Sequence, residues 1–192
     1  GVFPHLDDFK VDGAIISLHK TSNLACVGGD DRCGVWIALQ IMDDIISGRL
    51  PKNSYSIGFF CDEERGGKGS SEYVLDLLDD EVNYTTAYIG LDRRNATIGV
   101  PEFATYDCDN KTLNNIVSSQ YSEKMGSFTD ASNISEETNI ACINLSIGYN
   151  YEHTVNEYIN TEDTEFTLAY LRCLPFGNEV YNYIKYPKDN YH

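Results

Sequence analysis

The stretch Ser54-Tyr55-Ser56-Ile57-Gly58-Phe59-Phe60-Cys61-Asp62-Glu63-Glu64-Arg65-Gly66-Gly67-Lys68-Gly69-Ser70 decides how the chain is read. Its apolar part predicts a strand over Ser54–Cys61, and the acids and glycines after it predict a loop over Asp62–Lys68. A helix over Ser70–Leu78 comes next. Acids directly behind a buried strand fit an α/β sheet, where sites form at the carboxyl ends of strands. Glu63 and Glu64 repel each other there unless they hold separate roles. Glu64 as a metal ligand and Glu63 as an unbound proton shuttle resolve the conflict. The plain alternative is an acidic surface turn.

Outward from this stretch the pattern repeats. Toward the N-terminus, Asp7–Val27 reads as extended pieces, Ala14–Leu18 and Leu24–Val27 among them. Gly28-Gly29-Asp30-Asp31 then opens a buried helix over Cys33–Ile46, stopped by Gly48 and Pro51. Toward the C-terminus come a strand over Thr86–Leu91 ending at Asp92, a helix over Lys111–Tyr121, and a strand over Asn139–Ile147. A polar loop carrying His153 leads to a helix over Thr161–Cys173 with a capped start. Apolar strands alternating with helices predict an α/β domain on a mainly parallel sheet. Asp30, Glu63, Glu64, Asp92 and His153, from four separate segments, converge on one edge of that sheet.

Composition narrows the chemistry. A chain of 192 residues with 42% hydrophobic content fits one domain with a real core. Acidic residues outnumber basic ones 30 to 14, a formal charge of -16. That balance argues against nucleic acid and against anionic membrane surfaces. With no apolar run long enough for a bilayer, the expected setting is soluble and cytoplasmic. The six cysteines, Cys26, Cys33, Cys61, Cys108, Cys142 and Cys173, lack CxxC spacing and read as core residues.

Each candidate carries two readings. A two-metal hydrolytic site needs a bridging carboxylate, terminal carboxylate and imidazole ligands, and a free base. Asp30 is the natural bridge, with Asp31 as the alternative ligand and a helix cap as the bland reading. Asp92 is either a terminal ligand or the ion-pair partner of Arg93 or Arg94. His153 is either a ligand or a surface histidine. Tyr149 and Tyr151, and Tyr181, Tyr183 and Tyr186, line a pocket or simply pack.

Three elements then resemble those of the M20 and M28 metallopeptidases. Gly28-Gly29-Asp30-Asp31-Arg32-Cys33-Gly34 resembles G-x-D-D-K-x-G, and Asp62-Glu63-Glu64-Arg65-Gly66-Gly67-Lys68-Gly69-Ser70 resembles D-E-E-x-G-x-x-G-S. Glu152-His153-Thr154-Val155-Asn156-Glu157-Tyr158 resembles the closing H-x-x-N-E-Y/F element. The resemblance implies a three-layer α/β/α sandwich forming a single catalytic domain over 1–192. It implies two zinc ions bridged by Asp30, with Glu63 as general base, Glu64 and His153 completing one metal site, and Asp92 serving the second. Phe128-Thr129-Asp130-Ala131 resembles the family's [S/T]-D-A turn, with no ligand role assigned.

Two departures shape the expectation. His5-Leu6-Asp7 spells the family's upstream H-x-D, yet Gly1-Val2-Phe3-Pro4 resembles the T-V-F-P with which the family often continues that motif. The true motif is therefore expected before Gly1, with His5, His19 and His192 as bystanders and a chain that by itself is short of one ligand. The interval between Asp92 and His153 leaves no room for an inserted lid domain, which favours the compact M28-like layout. The implied activity is hydrolysis of peptide bonds in short peptides, of aminopeptidase or dipeptidase type. The rival readings are a non-catalytic or single-metal binding module and a hydrolase of non-peptide amides.

Overall fold

The computed structural model describes residues 4–52, 54–76, 84–106, 111–126 and 128–174. In chain order the regular elements are β1 (Phe9–Asp12), β2 (Ile15–Leu18), α1 (Gly29–Ile46), α2 (Lys68–Asp76), β3 (Tyr88–Arg93) and β4 (Glu102–Thr105). Then come α3 (Lys111–Val117), β5 (Ser122–Met125), α4 (Asp130–Thr138), β6 (Cys142–Ser146), β7 (Tyr149–Asn150), β8 (Tyr158–Asn160) and α5 (Thr161–Cys173). One-turn 3-10 helices lie at Leu6–Asp8 and Glu63–Arg65.

The α/β class holds, but the mainly parallel sheet does not. The strands form two four-stranded sheets, ordered β1-β2-β8-β7 and β3-β6-β4-β5. The first is antiparallel throughout, with Ile15 opposite Asn160 and Tyr149 opposite Ile159. The second is mixed: β4 runs parallel to β5 and antiparallel to β6. Hydrophobic periodicity reports which residues are buried, not which way a neighbouring strand runs. Strands β7 and β8 are too short to print a period of two. Strand β5, exposed along its whole length, carries Glu123 and Lys124, charges that blunt the edge of its sheet.

Other boundaries shift for local reasons. No strand forms over Ser54–Cys61. The Tyr55 hydroxyl donates to the Leu171 carbonyl at 2.6 Å, and Phe60 packs its ring against Tyr73 at 5.2 Å. Side chains rather than a ladder hold this run. The helix expected over Lys111–Tyr121 ends at Val117. Helix α4, too polar to show an apolar stripe, starts where the Thr129 N–H donates to Ser132 Oγ at 3.1 Å. Of the cysteines, Cys33 and Cys142 are buried, but Cys61 and Cys173 are exposed, so the core reading fails for those two. Cys108, Tyr181, Tyr183, Tyr186, His192 and the end of the expected Ser70–Leu78 helix lie outside the described residues.

The chain forms two compact units, the first made of Gly1–Ile57, Leu91–Pro101 and Ser146–Leu174, the second including Gly58–Gly90 and Glu102–Leu145. The first buries Val27, Ile37, Ile41, Ile147, Leu168 and Leu171; the second buries Phe103, Leu113, Val117, Ile134, Ile143 and Leu145. In the first unit Asp44 is 1% exposed at the last turn of α1, where the helix dipole disfavours an acid. Two guanidiniums offset this. Arg49 Nε and Arg172 Nε each donate to the Asp44 carboxylate at 2.5 Å, holding it below the usual carboxylate range. The pair from Arg172 ties α1 to α5.

Candidate metal centre

Local backbone geometry at the start of α1 separates the roles of its two acids. Gly28 is left-handed at φ 77°, and Asp30 and Asp31, joined by a cis peptide bond, have non-helical angles. Asp31 Oδ1 accepts from the Gly34 N–H at 3.0 Å, so the capping role belongs to Asp31. Gly34 is required there, because an added Cβ lands 2.1 Å from the Leu91 carbonyl oxygen. Asp30 instead turns its carboxylate to His153, with Oδ2 and Nε2 2.9 Å apart. The Asp30 side chain is 16% exposed and that of His153 56%.

His153 sits in a compact turn. Its φ is 62°, Thr154 Oγ1 donates to the Tyr151 carbonyl at 2.7 Å, and the Glu157 N–H donates to the Thr154 carbonyl at 3.1 Å. Asp92 lies in β3 and accepts from the Tyr149 hydroxyl at 3.4 Å. Arg94, the sequence alternative as its partner, reaches Glu152 at 2.8 Å. Burial and then the negative charges of Asp92, Asp30, Asp31 and Glu152 push the Tyr149 phenol well above its ordinary range. The four acids add like charge near Tyr149, which a bound cation would offset.

Glu157 is a buried acid to which the sequence assigns no role. It is 1% exposed and accepts from the Gly28 N–H at 2.6 Å and the Asp30 N–H at 3.2 Å. A signal was present, since Glu157 is the acid of the H-x-x-N-E-Y/F element, but nothing in the sequence said what it would hold.

Glu63 and Glu64 belong to the second unit. They ride the 3-10 turn Glu63–Arg65, entered at left-handed Asp62 (φ 57°) and left through Gly66 and Gly67 (φ 88° and 63°). The N–H groups of Gly66 and Gly67 both donate to the Glu63 carbonyl at 2.9 Å. Glu64 is exposed and Glu63 half-buried. The start of α2 is pinned behind this turn. Ser70, fully buried, donates to Asp130 Oδ1 at 2.5 Å, and Asn133 Nδ2 donates to Ser70 and Ser71 at 3.0 and 2.8 Å. Burial raises the Asp130 carboxyl.

His5 and Asp7 stand apart at the exposed Leu6–Asp8 turn, their side chains 79% and 94% accessible. His19 is exposed and bonded to Thr21.

Asp30 and His153 offer one carboxylate oxygen and one imidazole nitrogen, donor types that divalent metal ions take. The profile of peptidase family M28 matches residues 5–167, and the chain belongs to that family, which implies metal dependence. No curated protein matches the sequence. Among solved structures, the chain resembles that described as PhTET1-12s, dodecamer in the asymmetric unit, at 17% identity and a TM-score of 0.59. That match covers 85% of this chain and 52% of the other. It also resembles the TET aminopeptidase from the marine sediment archaeon Thaumarchaeota archaeon SCGC AB-539-E09, at 15% identity and a TM-score of 0.59, covering 91% and 54%. The chain thus spans about half the length of both structures.

Proposed function

We propose that this chain is the catalytic domain of a zinc peptidase that hydrolyses short peptides, of aminopeptidase or dipeptidase type. The observation that carries the reading is the contact between Asp30 and His153, carboxylate to imidazole, beside further acids. Asp30, Glu64 and His153 would hold one ion, and Asp30 with Asp92 a second, in a three-layer α/β/α domain without an inserted lid. Bound zinc supplies Lewis acidity and acidifies water at neutral pH.

The chain's own residues do the rest. Glu63 takes a proton from the attacking water and hands it to the leaving amine. Both acids are carried on the short 3-10 turn Glu63–Arg65, which ends at Gly66. Buried Glu157 keeps the Asp30 turn in place. The reading includes a cytoplasmic setting; no helix among the described residues is long and apolar enough to cross a membrane.

Zinc analysis of the purified protein, with a panel of dipeptides and aminoacyl anilides assayed with and without chelator, tests it. Bound zinc and chelator-sensitive release of an N-terminal residue are expected. No bound zinc together with no chelator-sensitive hydrolysis overturns it.

A further inference from the structure

We propose that Glu157 is a positioning residue that sets the metal-binding geometry of Asp30 and His153 together, a role that rests on the zinc-hydrolase reading. One buried residue connects both ligand segments, through its side chain on one and its backbone on the other. Its two carboxylate oxygens take separate backbone donors, Oε2 from Gly28 and Oε1 from Asp30, and so fix the turn on which the Asp30 carboxylate is carried. Its own backbone N–H closes the turn after His153 by donating to Thr154. The Asp30 turn therefore cannot move away from the His153 loop without breaking these bonds.

The chemistry requires a carboxylate here. An anion buried to 1% exposure is tolerated only when donors satisfy both oxygens, and two backbone N–H groups do so. A glutamine of the same length offers one accepting oxygen and one NH2, which meets a backbone N–H donor head on. The fit around the turn is tight as well. A Cβ on Gly29 lands 2.7 Å from Tyr149 Cβ, 2.9 Å from Ile159 and 3.3 Å from Glu157 Oε1. A side chain at Gly29 would therefore push the turn off Tyr149 and Ile159 and crowd Glu157.

The test is the zinc dissociation constant of the full chain, measured against a competing chelator, with cobalt absorption as a readout of ligand geometry and circular dichroism as a check of folding. Glu157→Gln is expected to weaken zinc binding about 10–100-fold and to shift the cobalt bands while the helical signal stays. Gly29→Ala, which removes no carboxylate, is expected to weaken it in the same direction, and it decides the matter where Glu157→Gln does not fold. Glu162→Gln, in the first turn of α5, serves as the control and leaves the constant unchanged. Folded variants that bind zinc as tightly as the parent, with the same cobalt spectrum, overturn the positioning role alone. A parent chain that takes up no zinc overturns the hydrolase reading and this inference with it.

Discussion

Asp30 and Glu63 are both acids on irregular turns, yet the two turns are built differently. The Asp30 turn is closed by a buried carboxylate, Glu157, which reaches it from more than a hundred residues away in sequence. The Glu63 turn is closed locally, by its own carbonyl accepting from Gly66 and Gly67. Long-range closure fixes where the backbone of Asp30 stands. Local closure sets the conformation of the turn and leaves Glu64 exposed and Glu63 half-buried. In the proposed function the turn closed by Glu157 carries the bridging ligand Asp30, and the locally closed turn carries the proton shuttle Glu63 beside the exposed ligand Glu64.

The largest effect expected from this contrast falls on the proton-moving side. Glu63→Gln lowers kcat by about 10²–10⁴-fold with zinc content unchanged, measured by steady-state kinetics beside metal analysis. A matching loss of zinc would assign Glu63 to the metal and erase the distinction. On the holding side, His153→Ala or Asp30→Asn lowers bound zinc after dialysis, with an affinity loss of at least about 10-fold. Retention of full zinc by both variants would break the comparison from the other end.

Stability sharpens it further. Asp44→Asn leaves Arg49 and Arg172 facing a neutral group in the same unit as Asp30, and lowers the thermal midpoint by about 5–10 °C at neutral pH. Because Asp44 is depressed in the fold, its contribution is present above pH 3.8 and is lost as pH falls through the depressed value. The gap between parent and variant should therefore close on acidification; a gap that is constant with pH would refute the ion pairs as its cause. The smallest effect concerns the second unit. Burial raises Asp130, so its favourable contribution is present below pH 3.8 and is lost as pH rises through the raised value. Asp130→Asn keeps an acceptor for Ser70 and is expected to raise the thermal midpoint slightly at pH 7 but not below pH 3.8. A large loss at pH 7 would show that the charge itself is needed behind the Glu63 turn.

Helix α1 was legible because its apolar positions recur over several turns, and α5 because apolar positions recur behind a polar, cap-forming start. Strand β6 was legible because its residues are buried on both faces. Short strands β7 and β8 and the polar helix α4 were not, since a few residues or a capping hydrogen bond leave no period to read. The run at Ser54–Cys61 misled for the opposite reason: its apolar side chains pack against α5 and Tyr73 while its backbone pairs with nothing regular.

By itself the sequence determined the family elements, the identity of the candidate ligands and the sharp break between apolar runs and acids, because those properties are carried by neighbouring residues. Tertiary structure decided that Asp31 caps the helix while Asp30 faces His153, that one sheet is antiparallel and the other mixed, and that Glu157 closes the Asp30 turn. Apart from the Asp31 cap, which closes within its own turn, these depend on hydrogen bonds between segments distant along the chain, and a carboxylate's partner there is set by where the fold brings a donor.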